Sequence, residues 1–162
     1  MKNLLALYDR VVSTFKFPQS IFLLVIRLYW GVQLAQSGWG KLHHLEKVTD
    51  YFQSINVPMP AATAHIIAFL ELVTGILWIL GLFSRPISAI MTINLIAAYW
   101  FGDHDALLSF FSDPDKFTAA APFQFLLVSL IVLLFGPGWV SLDALIRRFW
   151  PTGTSRIERR VA

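Results

Sequence analysis

A chain of 162 residues that is 56% hydrophobic and only 14% charged lies far from the usual soluble composition of roughly 45 to 50% apolar and about 25% charged residues, which argues for lipid as the solvent. Having no cysteine, it has no disulfides, thiolate metal sites, Cys-ligated iron–sulfur clusters or dithiol relay. The formal charge of +3 would suit nucleic acid, but the basic residues sit where membrane topology puts them and not on one soluble face, so no nucleic-acid partner is expected.

Residues 1–17 place Leu4, Leu5, Tyr8, Val11, Val12 and Phe15 at helical spacing, with Lys2, Asp9, Arg10 and Lys16 largely opposite, which predicts a surface helix. Asp9 and Arg10 interrupt the apolar core that a cleaved signal peptide needs. Pro18 is expected to separate this segment from a first span over 20–42, whose interior carries one ionisable residue, Arg27. About 20 apolar residues at 1.5 Å each are enough to cross roughly 30 Å of hydrocarbon. Arg27, Gly31, Leu34, Gly38 and Lys41 or Leu42 share one helical face, and Gly31 and Ala35 form a small-xxx-small pair that lets another helix approach. Gln33 and Gln36, on a neighbouring face, are expected to hydrogen-bond between helices.

Residues 43–60 are polar enough to leave the membrane and hold Leu45, Val48, Tyr51, Phe52 and Ile55 at helical spacing, which predicts a short amphipathic helix ended by Pro58 and Pro60. A second span over 61–82 contains Glu71 near its middle. Ser84 is the expected N-cap of a third span, 86–101, with Pro86 at its start and Asn94 mid-membrane as an interhelical hydrogen-bonding residue. At 16 residues, ~24 Å, that span is short for a bilayer. An acidic loop, 102–118, holds four aspartates against Lys116. A fourth span, 119–135, stops at Gly136-Pro137-Gly138, and Ser141 caps a short interfacial helix that ends in Arg147 and Arg148.

These elements predict an all-α protein: a transmembrane four-helix bundle with short interfacial amphipathic helices. Its parts are an N-terminal segment over 1–19, a membrane domain over 20–135 and an interfacial helix and tail over 136–162. Lys and Arg total nine in the N-terminal segment, the 82–86 turn and the C-terminal region, against Lys41, Lys47 and Lys116 on the other side. The positive-inside rule therefore puts both termini in the cytoplasm of a bacterial inner-membrane protein, with 43–60 and 102–118 outside.

The chain resembles the DoxX family of small four-helix membrane proteins through Arg27, Gly38-Trp39-Gly40-Lys41-Leu42, Ile55-Asn56-Val57-Pro58-Met59-Pro60, Glu71-Leu72-Val73-Thr74-Gly75, Leu80-Gly81-Leu82-Phe83-Ser84-Arg85 and Gly136-Pro137-Gly138 with Ser141-Leu142-Asp143. The resemblance covers roughly 22–143. It implies the fold and the membrane location. It also implies association with redox systems, some relatives being membrane subunits of thiosulfate:quinone oxidoreductase and others companions of redox-stress proteins. No catalytic motif is carried over.

Two constellations carry chemistry. Arg27 and Glu71, by depth from the cytoplasmic side ~10 and ~16 Å, are expected to meet as a buried pair that either fixes helix register or, with Gln33 and Asn94, surrounds a quinone head group. His43, His44, His65 and His104 gather near the outer ends of the spans beside Asp103 and Asp105, but no ligand spacing such as His-x-x-x-His occurs, and no metal is expected. The tryptophans read as an aromatic belt, with Trp30 or Trp78 as the candidates for lining a ring-binding pocket. With no nucleotide loop, metal signature or catalytic triad, the functional expectation is an accessory membrane subunit of a quinone-linked oxidoreductase or redox-stress system. The competing expectation is a non-catalytic membrane scaffold for a redox protein partner.

Overall fold

The computed structural model describes residues 14–149. The surface helix expected over 1–17 and the tail from Pro151 lie almost wholly outside the described residues. The elements are α1 (Lys16–His43), α2 (Leu45–Ser54), α3 (Pro60–Leu80), α4 (Ser84–Gly102), α5 (His104–Leu108), α6 (Pro114–Ala119), α7 (Pro122–Phe135) and α8 (Leu142–Phe149). All regular structure among the described residues is helical.

The helix ends follow local chemistry. Pro18 does not interrupt the chain: it lies in the first turn of α1, where its missing N–H is an orphan anyway, while Gln19 N–H reaches Phe15 O at 3.0 Å. Pro60 opens α3 and Pro122 opens α7 in the same way. Gly81, at φ +67°, ends α3. Its Cβ position is occupied by the Arg27 guanidinium and the Ser141 side chain, so both backbone and space demand glycine here. Helix α4, the expected third span, is longer than the expected 86–101, running 19 residues from Ser84, or ~28 Å, which removes the expected shortfall. The fourth is shorter than 119–135, because Ala120 turns extended (φ −64°, ψ 141°) and Ala119 closes the separate helix α6. Tyr99 ties this stretch down. Its ring stacks on Phe117 at 4.8 Å, and its hydroxyl donates to Phe117 O at 2.8 Å.

The packing pairs α1 with α3 and α4 with α7 most extensively, and contacts of α3 with α4 and α1 with α7 close a ring of four helices. Along α1 and α3 the backbones nearly touch. A Cβ on Gly75 would sit 2.6 Å from Gly31 O and collide with Ala35 N, and one on Gly38 would sit 2.7 Å from Ala68 O. The small face of α1 therefore does what its spacing predicts. The core between the four helices is Leu34, Trp78, Met91, Leu95, Val128 and Val132. Polar bridges cross it: Trp78 Nε1 donates to Ser88 Oγ at 2.9 Å, and the Thr92 and Ser129 hydroxyls lie 2.9 Å apart.

Outward, the same helices are apolar. Phe22, Tyr29, Ile66, Phe69, Ile93 and Leu134 are all exposed. Two helices, α1 and α3, are long and apolar enough to cross a membrane, and only 28% and 33% of their most apolar windows are buried. The core helix of a soluble protein would be mostly buried, so the unburied apolar surface of these two meets lipid. Helix α7 is apolar but, at 14 residues, shorter.

Candidate functional site

The register of α1 against α3 decides where the buried charges go. Gly31 faces Gly75 and Ile79, and Gly38 faces Ala68 and Leu72, so Arg27 comes level with the C-terminal end of α3 while Glu71 comes level with Ser37. The expected Arg27–Glu71 pair does not form. Arg27 is fully buried; Nε donates to Leu23 O at 3.3 Å, Nη1 to Trp78 O at 3.0 Å and Nη2 to Val140 O at 2.6 Å. Its acceptors are thus carbonyls of its own helix, of the last turn of α3 and of the loop before α8. Carbonyls at a helix C-terminus carry partial negative charge and lack intrahelical donors, which is why a cation belongs there.

Asp143 completes this end. Its carboxylate accepts from Phe83 N–H at 2.9 Å and Ser84 N–H at 3.0 Å, capping α4 from across the chain, while its own N–H donates to Gly81 O at 2.9 Å. Ser84 is therefore not the cap that its position predicts; its hydroxyl is buried without a hydrogen-bond partner among the described residues. Ser141 caps α8 as expected, accepting from Ala144 N–H at 3.1 Å.

Glu71 finds different partners. It forms an ion pair with Lys41 and accepts a hydrogen bond from Ser37 Oγ at 2.9 Å. Lys41 and Ser37 are both residues of α1, and the sequence signal for Lys41 was its place on the Arg27–Gly31–Leu34–Gly38 face. Glu71 is 8% exposed at its side chain and Lys41 32%, so the pair is half open, and what it opens into is a cavity.

That cavity, about 520 Å³, lies between α1, α2, α3, α4 and the start of α7. Ser37, Lys41 and Glu71 line it from α1 and α3, Asn94 from α4, and Tyr51 and Phe52 from α2; most of the remaining lining is apolar. Pockets of 300 to 1,000 Å³ with apolar walls and a few convergent polar groups are the usual form of small-molecule sites. Asn94 does not bond between helices as expected. Among the described residues its side chain makes one hydrogen bond, the weak one from Nδ2 to Met91 Sδ at 3.9 Å on its own helix, and the residue lines the cavity. Interhelical bonding falls instead to Thr92, two residues earlier on the other side of α4, with Ser129 of α7.

The other expected site residues lie elsewhere. Gln33 is half-buried and Gln36 exposed, and neither bonds to another helix among the described residues, contrary to expectation. Trp30 packs edge-on to Phe125 at 5.3 Å and Trp78 is wholly buried, and neither lines the cavity. Trp39, Trp100 and Trp139 are exposed. The Nδ1 atoms of His43, His44 and His65 approach carbonyls one turn back on their own helices, at 2.9, 2.9 and 2.8 Å, and His104 packs on Trp100. Among the described residues no three His, Asp or Glu side chains gather into a metal-binding group.

A helical protein with two lipid-facing span-length helices among its described residues, a buried arginine knot and a largely apolar cavity holding a few polar groups is a small membrane protein of the multi-helix kind. The chain belongs to the DoxX family, whose pattern it matches over residues 22–104. It is 25% identical over 129 residues to inner membrane protein YphA of Escherichia coli (strain K12), a match that spans 76% of this chain and 89% of that protein. It is 26% identical over 123 residues to the Bacillus subtilis (strain 168) protein named "Putative oxidoreductase CatD", spanning 76% and 85%. No solved structure matches it.

Proposed function

We propose that this protein is an accessory membrane subunit of a quinone-linked oxidoreductase or redox-stress system, and that the cavity beside Glu71 holds the quinone head group. The observation that carries this reading is the cavity itself, whose largely apolar lining includes the Lys41–Glu71 ion pair, Ser37 and Asn94, with Lys47, Tyr51, Thr63 and Asp103 as its other polar members. A quinone matches such a lining. Its ring is flat and apolar, its two carbonyl oxygens accept hydrogen bonds, and the Lys41 ammonium and the Asn94 amide are donors on opposite walls. Reducing it takes two electrons and two protons. The electrons come from a partner redox protein, and the Glu71 carboxylate, held by Lys41 and Ser37, stands where a proton can be passed. A relative that bears the name of an oxidoreductase supports the redox class.

In this reading α4 and α7 cross the membrane with α1 and α3 as a four-helix transmembrane bundle in the bacterial inner membrane, both termini cytoplasmic and α2 outside. The exposed apolar residues of α4 and α7, Ile90, Ile93, Ile96, Leu127, Leu130 and Leu134, support it, as does the excess of Lys and Arg at the end that carries the termini. Purification of the full chain in mild detergent followed by lipid analysis tests the function. Quinone enriched toward one per chain is expected; its absence, together with a protein partner that co-purifies stably, would leave a membrane scaffold instead.

A further inference from the structure

A second cavity, about 360 Å³, opens at the opposite end of the molecule from the first. It is walled by Lys16, Gln19 and Ser20 of α1, Arg85 at the start of α4, the turn from Phe135 to Trp139, and Arg147 of α8. Among the described residues three cations line it and no acidic side chain does. None of the three has an ion-pair partner among the described residues. The carboxylate closest in sequence to Arg147, that of Asp143, is committed to the Phe83 and Ser84 N–H groups.

The cations are anchored without being consumed. Arg85 gives Nη2 to Leu134 O at 3.2 Å and lies over the Gly136 backbone, and Arg147 gives Nε to Asp143 O at 3.1 Å. A guanidinium has five N–H donors, so each keeps most of its donors for another acceptor. Trp139 N–H donates to Ser20 Oγ at 3.2 Å, which fixes the turn against α1, and the Trp139 ring is exposed at the rim. Phe135 and Trp139 supply exposed apolar lining beside the lipid-facing helix surface, while Leu23 forms the buried floor.

We infer that this cavity is a headgroup site for an anionic phospholipid, the phosphodiester seated among Lys16, Arg85 and Arg147 and the acyl chains running along Phe135 and Trp139. Unpaired cations gathered at the mouth of a membrane helix bundle recognise phosphate oxygens, with arginine supplying paired donors. A zwitterionic headgroup is disfavoured, because its ammonium group would meet three cations and no carboxylate. The site rests on the membrane location of α1 and not on the quinone reading, so either can fail alone.

The test uses the purified full-length protein with dioleoyl phosphatidylglycerol, dioleoyl phosphatidylcholine and inorganic phosphate as separate probes, read by native mass spectrometry and by the shift in thermal unfolding. Phosphatidylglycerol is expected to stay bound and raise the melting temperature where phosphatidylcholine does not, and millimolar phosphate is expected to compete only weakly. At about fivefold per cation near the surface, Arg85→Gln with Arg147→Gln should weaken phosphatidylglycerol binding about 25-fold, while Arg148→Gln, outside the cavity, should stay near the wild-type value. Because Arg85 also holds Leu134 O, Lys16→Gln with Arg147→Gln provides a second variant that leaves that bond intact and should show a similar loss. Quinone content should be unchanged in both. Equal retention of the two lipids, wild-type affinity in both double variants, or phosphate binding with no preference for the lipid would overturn the assignment.

Discussion

The two ends of the α1–α3 pair each bury a charge from the same helix face, and they treat it in opposite ways. At one end Arg27 is fully enclosed and its three donor nitrogens are all spent on carbonyls. At the other, Lys41 and Glu71 satisfy each other but stand in the wall of a 520 Å³ cavity. With no exposed surface, the Arg27 charge has nothing to offer a ligand. A charge pair with one side open does, and that difference supports a structural role for the first end and the proposed ligand site at the second.

The largest effect should come from the closed end. Arg27→Leu leaves the Trp78 and Val140 carbonyls without their charged donor, and hydrogen bonds to charged groups are worth about 1.5 to 3 kcal/mol each. A loss of about 3 kcal/mol or more in a detergent unfolding titration is expected, with poor recovery of folded protein. Adding Glu71→Leu should bring no rescue, since Glu71 keeps its own partners. Recovery of stability in that double variant would mean that the two charges meet after all and would collapse the contrast between the ends.

A smaller loss is expected for Asp143→Ala, which strips the remote cap from α4. Caps of this kind contribute about 0.5 to 2 kcal/mol, and the local signature should be faster hydrogen exchange at the Phe83 and Ser84 amides with α1 and α3 unaffected. Unchanged exchange at those two amides would show that α4 does not depend on the 141–143 segment.

Much of this fold was legible because it follows from periodicity and hydropathy: the apolar stretches, the small face of α1, the Gly81 stop and the Ser141 cap. The Arg27–Glu71 pairing went wrong for a physical reason. Depth counted from assumed span ends made their separation look small, whereas the helix register is set by Gly38 and Gly75 meeting Ala68 and Ala35, which leaves Arg27 about 15 Å along the helix from Ser37. The role of Asp143 was not legible, because a cap reaching α4 from 60 residues away leaves no spacing pattern in the sequence. Lys41 was visible on the inward face of α1, but the sequence did not show that Glu71 would be its partner. The cavity could not be read at all, since it arises where α2 folds back over the gap between α1, α3 and α4.

The smallest effect on stability should come from the open end, and there it carries the most information. Asn94→Leu removes an amide whose only hydrogen bond among the described residues is to Met91 Sδ at 3.9 Å, strands no partner, and presents a side chain of similar size to apolar walls. Stability should change by less than about 0.5 kcal/mol. Ser129→Ala is the matched control: its hydroxyl, buried on α7, bonds to Leu126 O at 2.8 Å and lies against Thr92, so it should cost about 1 kcal/mol while leaving the cavity lining intact. Bound quinone should follow the reverse order, falling severalfold in Asn94→Leu and holding in Ser129→Ala. If instead the asparagine variant unfolds more easily than the serine variant and keeps its quinone, the amide is part of the packing and the cavity is not the site.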